Sequence, residues 1–447
     1  MRELTYFIVL LVLAAGVFWG CEEEEVKPED DNQQQSDDLS ADDSLKMFIK
    51  AVMDDQKYYY WYDEMAEASP DSFETANDYF QALLYDEVDR WSFITDAETF
   101  NQHYQEGKYV GLGIRMAFDA EDNLRVALAY ENSPMGKKGV TRGYKILSIN
   151  GVSAAEIKAN GLGGVLKETG NSMELENLKG ETESITVDME EVEEAAILRD
   201  SVYKRGDRNI GYFVFQNFID PAKDALSETF AKFANKNVTD LVVDLRYNGG
   251  GKLAIASQMA DLIAGKDATG ELFYKVIHNR FHSEMDSDNP YYFEERSNSL
   301  DIERIVFITT GNSASASEAV INGLDISALG DDLDVKLVGS QTHGKPVGMY
   351  AFSTDQQTNF AHIGKIVAPV TFKGVNADGY GDYYEGIPVD APRTDDLTHR
   401  FGDPEESCLS EALFYIENGN FSTPAKAVRI PKSHIKYEGM RMEIGAY

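Results

Sequence analysis

From about residue 195 onward, short apolar runs alternate with stretches of helical period, and this alternation restricts the fold more than any other feature of the chain. Residues 210–215, 241–245 and 305–310 read as strands, with 241–245 apolar enough to be buried. Residues 221–234 and Leu253–Ala264 read as helices between them. Strand and helix in turn predict an α/β layered core. At 447 residues the chain exceeds what one hydrophobic core usually holds, so two or three domains are expected, an α/β (α+β multidomain) organisation.

Upstream of that core the period changes twice. Between 103 and 193 short strands are expected at 110–116, 124–129 and 145–151. Between 44 and 102 the spacing is helical, with Met47, Phe48, Ala51 and Val52 on one face and Tyr79, Phe80, Leu83 and Leu84 on another, predicting a small helical hairpin. The aromatic run from Tyr58 to Tyr62 belongs to packing, the commoner use of such side chains, rather than to a sugar- or peptide-binding face.

The first twenty residues read as an export signal, with Arg2 ahead of an unbroken apolar stretch at 7–19 that is short for a membrane span. It ends at Gly20-Cys21, which resembles the bacterial lipoprotein cleavage site. That resemblance implies lipidation of Cys21, a membrane anchor, and an exported lipoprotein of the bacterial cell envelope; the alternative is an uncleaved signal anchor. Residues 21–43 are acidic and nearly devoid of apolar side chains, hence a solvated tether. Cys21 and Cys408 are the only cysteines, so no disulfide framework is expected. The core then spans 194–425, followed by a tail at 426–447. With 77 acidic against 41 basic residues, a formal charge of −36 excludes nucleic acid as a partner.

Three core segments carry chemistry. Asp244-Leu-Arg-Tyr-Asn-Gly-Gly-Gly251 follows a buried strand, and its glycines let the backbone turn and present N–H groups to a developing negative charge. In the segment from Ile305 to Val320, a strand passes through Gly-Asn-Ser-Ala-Ser-Ala-Ser into a helix beginning near Ser315. A serine there is exposed at the positive helix end, although Ser315-x-x-Glu318 also spells a capping box. The third segment, Gly339-Ser-Gln-Thr-His-Gly-Lys-Pro-Val-Gly348, holds Lys345 among glycines and proline, where desolvation would favour the neutral amine a base must present.

These segments, behind the strand-rich region, resemble the carboxyl-terminal processing (tail-specific) serine proteases, as do Asp86-Glu-Val-Asp-Arg-Trp-Ser-Phe93 and Gly211-Tyr-Phe-Val-Phe215. The resemblance implies a ClpP/crotonase-like catalytic core, Ser315 as nucleophile, Lys345 as general base, and an oxyanion hole built from the amides of Ala316 and of Gly250 or Gly251. Region 103–193 resembles a PDZ domain through Gly111-Leu112-Gly113-Ile114, Asn132-Ser-Pro-Met-Gly-Lys-Lys-Gly-Val140 and Gly143-Tyr-Lys-Ile-Leu-Ser-Ile-Asn-Gly151. This likeness implies that residues 111–114 bind the C-terminal tail of a polypeptide substrate. Two departures stand out. Met349 occupies a position where many members place a glutamine that orients the lysine, and the Ser-to-Lys interval is lengthened by the acidic stretch 330–334, which should bulge outward.

Other readings compete with this one. A peptide-binding scaffold without turnover would need none of Ser315, Lys345 and the glycine turn together. Ser201-Val-Tyr-Lys204 and Ser433-His-Ile-Lys436 match a penicillin-binding S-x-x-K string, but no Lys-Thr-Gly follows. No G-x-S-x-G supports a Ser-His-Asp site. His278 and His282 lack the glutamate of a zinc peptidase, so neither metal nor cofactor is expected. His343 is assigned to packing or solvent, and Ser313 and Ser317 remain rival nucleophiles.

Overall fold

The computed structural model describes residues 40–329 and 333–422. The export signal, Cys21, most of the acidic tether, residues 330–332 of the acidic stretch, the second S-x-x-K string and the 426–447 tail lie outside the described residues.

The core is a six-stranded sheet in the order Ile197–Arg205, Arg208–Phe215, Asp240–Asp244, Arg304–Thr309, Asp334–Gly339, Ala391–Pro392. Its first pair is an antiparallel hairpin and every later pair is parallel. Alternate residues of these strands face opposite layers. Phe213, Leu241, Val243 and Phe307 pack under the helices Ala222–Asn235, Leu253–Ala264 and Ala316–Leu324. Tyr212, Val242, Val306 and Val338 pack against the helix Ser407–Asn418. Both faces are covered, which is why these strands are apolar on successive residues instead of alternating.

A second, antiparallel sheet runs Pro290–Tyr292, Leu272–His278, Val370–Asn376, Val347–Met349, and a third joins Phe93–Asp96 to Lys365–Ala368 and Phe352–Ser353. The N-terminal helices Ala41–Lys50 and Ala76–Leu83 pack Phe48, Ile49, Tyr79 and Phe80 into one cluster with Val347, Val367 and Val370 of these sheets. Met47, expected on the buried face, is 50% exposed; the face is formed instead by Leu45, Phe48, Ile49 and Val52. Tyr59 is fully buried, its hydroxyl donating to Asp89 at 2.8 Å, and Trp61 stacks on Trp91, so the aromatic run does pack.

Between the first helices and the core, Ile114–Phe118, Leu124–Ala129, Lys145–Ile149, Asn171–Glu176 and Thr182–Val187 form a separate sheet with its own apolar core. The expected 110–116 strand is two strands. Lys108–Gly111 pairs with Glu190–Glu193 and Ile114–Phe118 enters the larger sheet. The break falls at Gly113, whose φ of 76° and position against Ser133, where a Cβ would sit 1.9 Å from the serine Cβ, suit glycine alone.

A buried charge network ties this region to the core. Arg142 donates to Asp395 at 2.5 Å, to the Ala127 carbonyl at 2.7 Å and to the Tyr247 hydroxyl at 2.9 Å. Arg115 donates to the Tyr247 carbonyl at 2.5 Å. Arg246, 1% exposed, reaches Asp244 at 2.8 Å, Glu406 at 3.0 Å and Asp395 at 2.7 Å. Burial pushes the Asp395 carboxyl up, but Arg142 and Arg246 outweigh it and hold it well below the usual carboxylate range.

Two outcomes follow from this network. Arg246→Met strands several buried carboxylates and is expected to destabilise the fold by about 3–5 kcal/mol in denaturant titration. Because the folded Asp395 titrates below its unfolded value, its stabilisation is present above about pH 4 and is lost as the pH falls further, so acid melts should show stability dropping there, and less steeply in Asp395→Asn.

Candidate active site

Parallel pairing brings the three chemistry-bearing segments together. Asp244 registers with Ile308 and Thr309 with Gly339, so three adjacent strands end at one edge of the sheet. Each runs directly into one segment: the Asn248–Gly251 glycine turn, the serine turn at 310–315, and the lysine loop at 340–345. Carboxyl ends of adjacent parallel strands are where α/β sheets place their sites.

Within the serine turn the three serines have different fates. Ser313 is fully buried, donating to the Leu245 carbonyl at 2.7 Å and accepting from the Thr310 N–H at 3.0 Å. Ser317 is also fully buried and donates to the Asn248 carbonyl at 3.0 Å. Both hold the serine turn against the glycine turn. Ser315, half-buried, caps the Ala316–Leu324 helix and lines a cavity of about 370 Å³ together with Lys345. Its φ of 55° and ψ of −113° are uncommon for a residue with a Cβ and cost on the order of 1–3 kcal/mol, which the surrounding bonds must offset.

Glu318 supplies those bonds. Its Oε2 accepts the Ser315 N–H at 2.9 Å and the Lys345 N–H at 2.8 Å, which holds the two main-chain nitrogens within about 6 Å of each other. Its Oε1 accepts the Gly344 N–H at 2.7 Å and the Thr342 hydroxyl at 2.6 Å. The carboxyl is fully buried; burial pushes its pKa up, and the bonds from Thr342, Lys345, Gly344 and Ser315 only partly oppose that. The S-x-x-E string does mark a glutamate reaching back to its cap, but that same carboxylate also gathers the lysine loop, which local spacing could not reveal. Lys345 itself is 5% exposed.

Ala316 opens its helix, so its N–H has no acceptor within it and lies next to Ser315. Of the two glycines offered as second donor, Gly250 already gives its N–H to Asn248 Oδ1 at 2.9 Å. No larger residue fits at either position. A Cβ on Gly250 would lie 2.7 Å from the Ser315 Cβ, and one on Gly251 would lie 2.3 Å from the Phe218 carbonyl oxygen.

The N-terminal region grips the lysine loop from outside. Asp89 Oδ1 accepts from the Trp91 and Ser92 amides at 3.0 Å each, fixing the segment, and Arg90 donates to the Gly344 and Tyr384 carbonyls at 3.4 and 3.2 Å. Trp91 Nε1 donates to His343 Nε2 at 3.4 Å, and the His343 N–H donates to the Ser313 carbonyl at 2.9 Å. His343 thus links the N-terminal region to the serine turn. Met349 lines the cavity.

Gly111, Leu112, Gly113 and Ile114 do not join the cavity lining. Gly111 pairs with Glu190, Leu112 and Ile114 are fully buried, and the Gly113 carbonyl accepts from the Tyr130 N–H at 3.0 Å. Ser201 and Lys204 lie on an antiparallel strand away from the cavity. His282 Nε2 faces the Gln56 carbonyl at 2.8 Å while His278 turns to Asp286, and no group of side chains with metal-binding character occurs among the described residues. Cys408 is buried and burial pushes its thiol up.

The profile of Peptidase family S41 matches residues 209–379, and that of the Peptidase S41 N-terminal domain matches residues 44–93. A protein of Staphylococcus haemolyticus described as "Probable CtpA-like serine protease" is 26% identical over 322 residues, covering 71% of this chain and 59% of that protein. A Staphylococcus aureus protein of the same description is 26% identical over 329 residues, covering 70% of this chain and 61% of its own length. The chain therefore spans about three-fifths of the length of these curated relatives. The crystal structure of a Bacteroides fragilis protein assigned to the S41 proteases superposes with a TM-score of 0.67 at 20% identity, covering 83% of this chain and 97% of that one, a likeness of fold.

Glu318→Gln replaces one accepting oxygen with an N–H group facing donors. It is expected to destabilise the protein by roughly 2 kcal/mol or more in thermal melts. Labelling of Ser315 by a fluorophosphonate should slow about a hundredfold under conditions where the variant is still folded.

Proposed function

We propose that this chain, which carries the peptidase family S41 domain together with the family's N-terminal domain, is a serine endopeptidase of the carboxyl-terminal processing type, cutting loosely folded or tail-exposed polypeptides with Ser315 and Lys345. The observation that carries this reading is the shared Glu318 oxygen: it holds the main chain of both residues at one point, on the wall of one cavity, beside the N–H of Ala316.

The chemistry follows from the groups present. Lys345 Nζ, as the general base, takes the Ser315 hydroxyl proton as Oγ attacks the scissile carbonyl. The carbonyl oxygen becomes an oxyanion beside the Ala316 and Gly251 amides, at a helix N-terminus whose partial positive charge favours it. The lysine, now protonated, gives its proton to the departing amine, leaving an ester on Ser315. Water, deprotonated by the same amine, then releases the acid and restores the hydroxyl.

Region 103–193 we assign to substrate capture through a polypeptide C-terminus. Support comes from the Ile114–Phe118 strand, which directly follows Gly113 and stands last in its sheet order, the position a strand-adding peptide would extend. The apolar leader and Gly20-Cys21 support an exported lipoprotein held at a bacterial membrane by lipid on Cys21; Cys21→Ser is expected to move the protein from the membrane to the soluble fraction on cell fractionation.

Digestion of an unfolded protein substrate tests the catalytic reading. Ser315→Ala and Lys345→Ala should each lose about a thousandfold or more in rate while melting like the parent, whereas Ser313→Ala and Ser317→Ala should act through stability. Full activity in either of the first two would remove the mechanism.

A further inference from the structure

A buried histidine near the cavity takes no part in the chemistry above. His278, 5% exposed, closes the Leu272–His278 strand. Its backbone N–H and its Nδ1 both meet Asp286 Oδ1 at 2.8 Å, and its Nε2 lies 2.8 Å from the Tyr350 hydroxyl. A carboxylate only accepts, so Nδ1 carries a proton toward Asp286, and Nε2 and the Tyr350 hydroxyl are hydrogen-bonded to each other. Tyr350 lines the same cavity as Ser315. Its ring is stacked on His278 at 5.7 Å and tilted against Phe372 at 5.3 Å. An irregularity in strand pairing between Gly348 and Met349, next to the Tyr350 N–H bond to Thr371 Oγ1 at 2.9 Å, re-aims the chain so that Tyr350 reaches His278.

The same wall is shaped by two missing side chains. A Cβ on Gly348 would sit 2.3 Å from the Phe372 ring, and one on Gly374 would sit 1.9 Å from the Tyr274 hydroxyl, so both rings lie where only glycine leaves room. The Tyr274 hydroxyl is turned to Tyr383 at 3.2 Å, as that of Tyr350 is turned to His278. With both hydroxyls directed into the protein, these tyrosines offer carbon to the cavity, alongside Phe372, Leu253 and Ala319. The charged residues in the lining are Lys345 and Lys252, the latter paired with Asp220 at 2.6 Å.

We propose that Tyr350 and Phe372, with His278 and Asp286 fixing Tyr350, form the wall of a side-chain subsite that selects a large apolar residue flanking the bond to be cut. This rests on the proteolytic reading and adds a substrate preference to it. Tyr350 and Phe372 determine specificity; His278 is a positioning residue.

Cleavage sites made by the intact chain in a reduced, unfolded protein, mapped by mass spectrometry, should be enriched in Phe, Leu, Met or Tyr on one side of the bond. In peptides varied at that position, Asp or Lys should lower kcat/KM by a hundredfold or more relative to Phe. Tyr350→Ala and His278→Ala should each reduce the Phe-to-Ala ratio of kcat/KM about tenfold, the effect of a poorly filled apolar pocket, while Tyr350→Phe, which keeps the ring, should retain most of it. A ratio is the right readout because partial unfolding lowers all substrates alike. Cleavage without side-chain bias, or a ratio unmoved in Tyr350→Ala and His278→Ala, overturns the subsite and leaves proteolysis standing. A parent chain that cuts no substrate overturns the proteolytic reading, and the subsite with it.

Discussion

One carboxylate organises this site. Glu318 is buried beneath the start of a helix, where a lone charge would be costly, and four donors from two loops converge on it. Because two of those donors are the main-chain amides of Ser315 and Lys345, satisfying the glutamate and assembling the site are the same event. The strained backbone at Ser315 is tolerable for that reason: its N–H is held by Glu318 and its carbonyl by the Ala319 N–H at 2.8 Å.

The surrounding architecture serves this convergence. Three adjacent parallel strands deliver the glycine turn, the serine turn and the lysine loop to one edge, and Ser313 and Ser317, which look like rivals to Ser315, bond the turns to one another. The N-terminal region closes the arrangement from outside through Arg90, Trp91 and His343, so a segment remote in sequence bears on the lysine loop. A second buried network, centred on Arg246 and Asp395, anchors the strand that precedes the glycine turn and joins it to Arg142 of the strand-rich region at 103–193.

Much of this was legible in the residues. Strands with apolar residues in succession announce a sheet covered on both faces, and glycines after a buried strand announce a tight turn, since both patterns arise from local sterics and burial. The position of Ser315 at a helix start was legible too, because caps are local. The single 110–116 strand was not: its break depends on Ser133, twenty residues away, leaving no room for a side chain on Gly113. Nor was the bond from the Gly250 N–H to Asn248, which depends on the rotamer of Asn248.

The sequence by itself determined which groups are available: a serine at a helix cap, a lysine among small residues, glycines beside them, and a glutamate three residues past the serine. It did so because helix caps, turns and burial are read from neighbouring residues. Only the tertiary structure decided that the glutamate belongs to both loops, that two of three serines are structural, and that a histidine from another sheet backs the cavity wall. Those relations are set by strand pairing and by which donors reach a buried acceptor, contacts between residues that spacing along the chain does not encode.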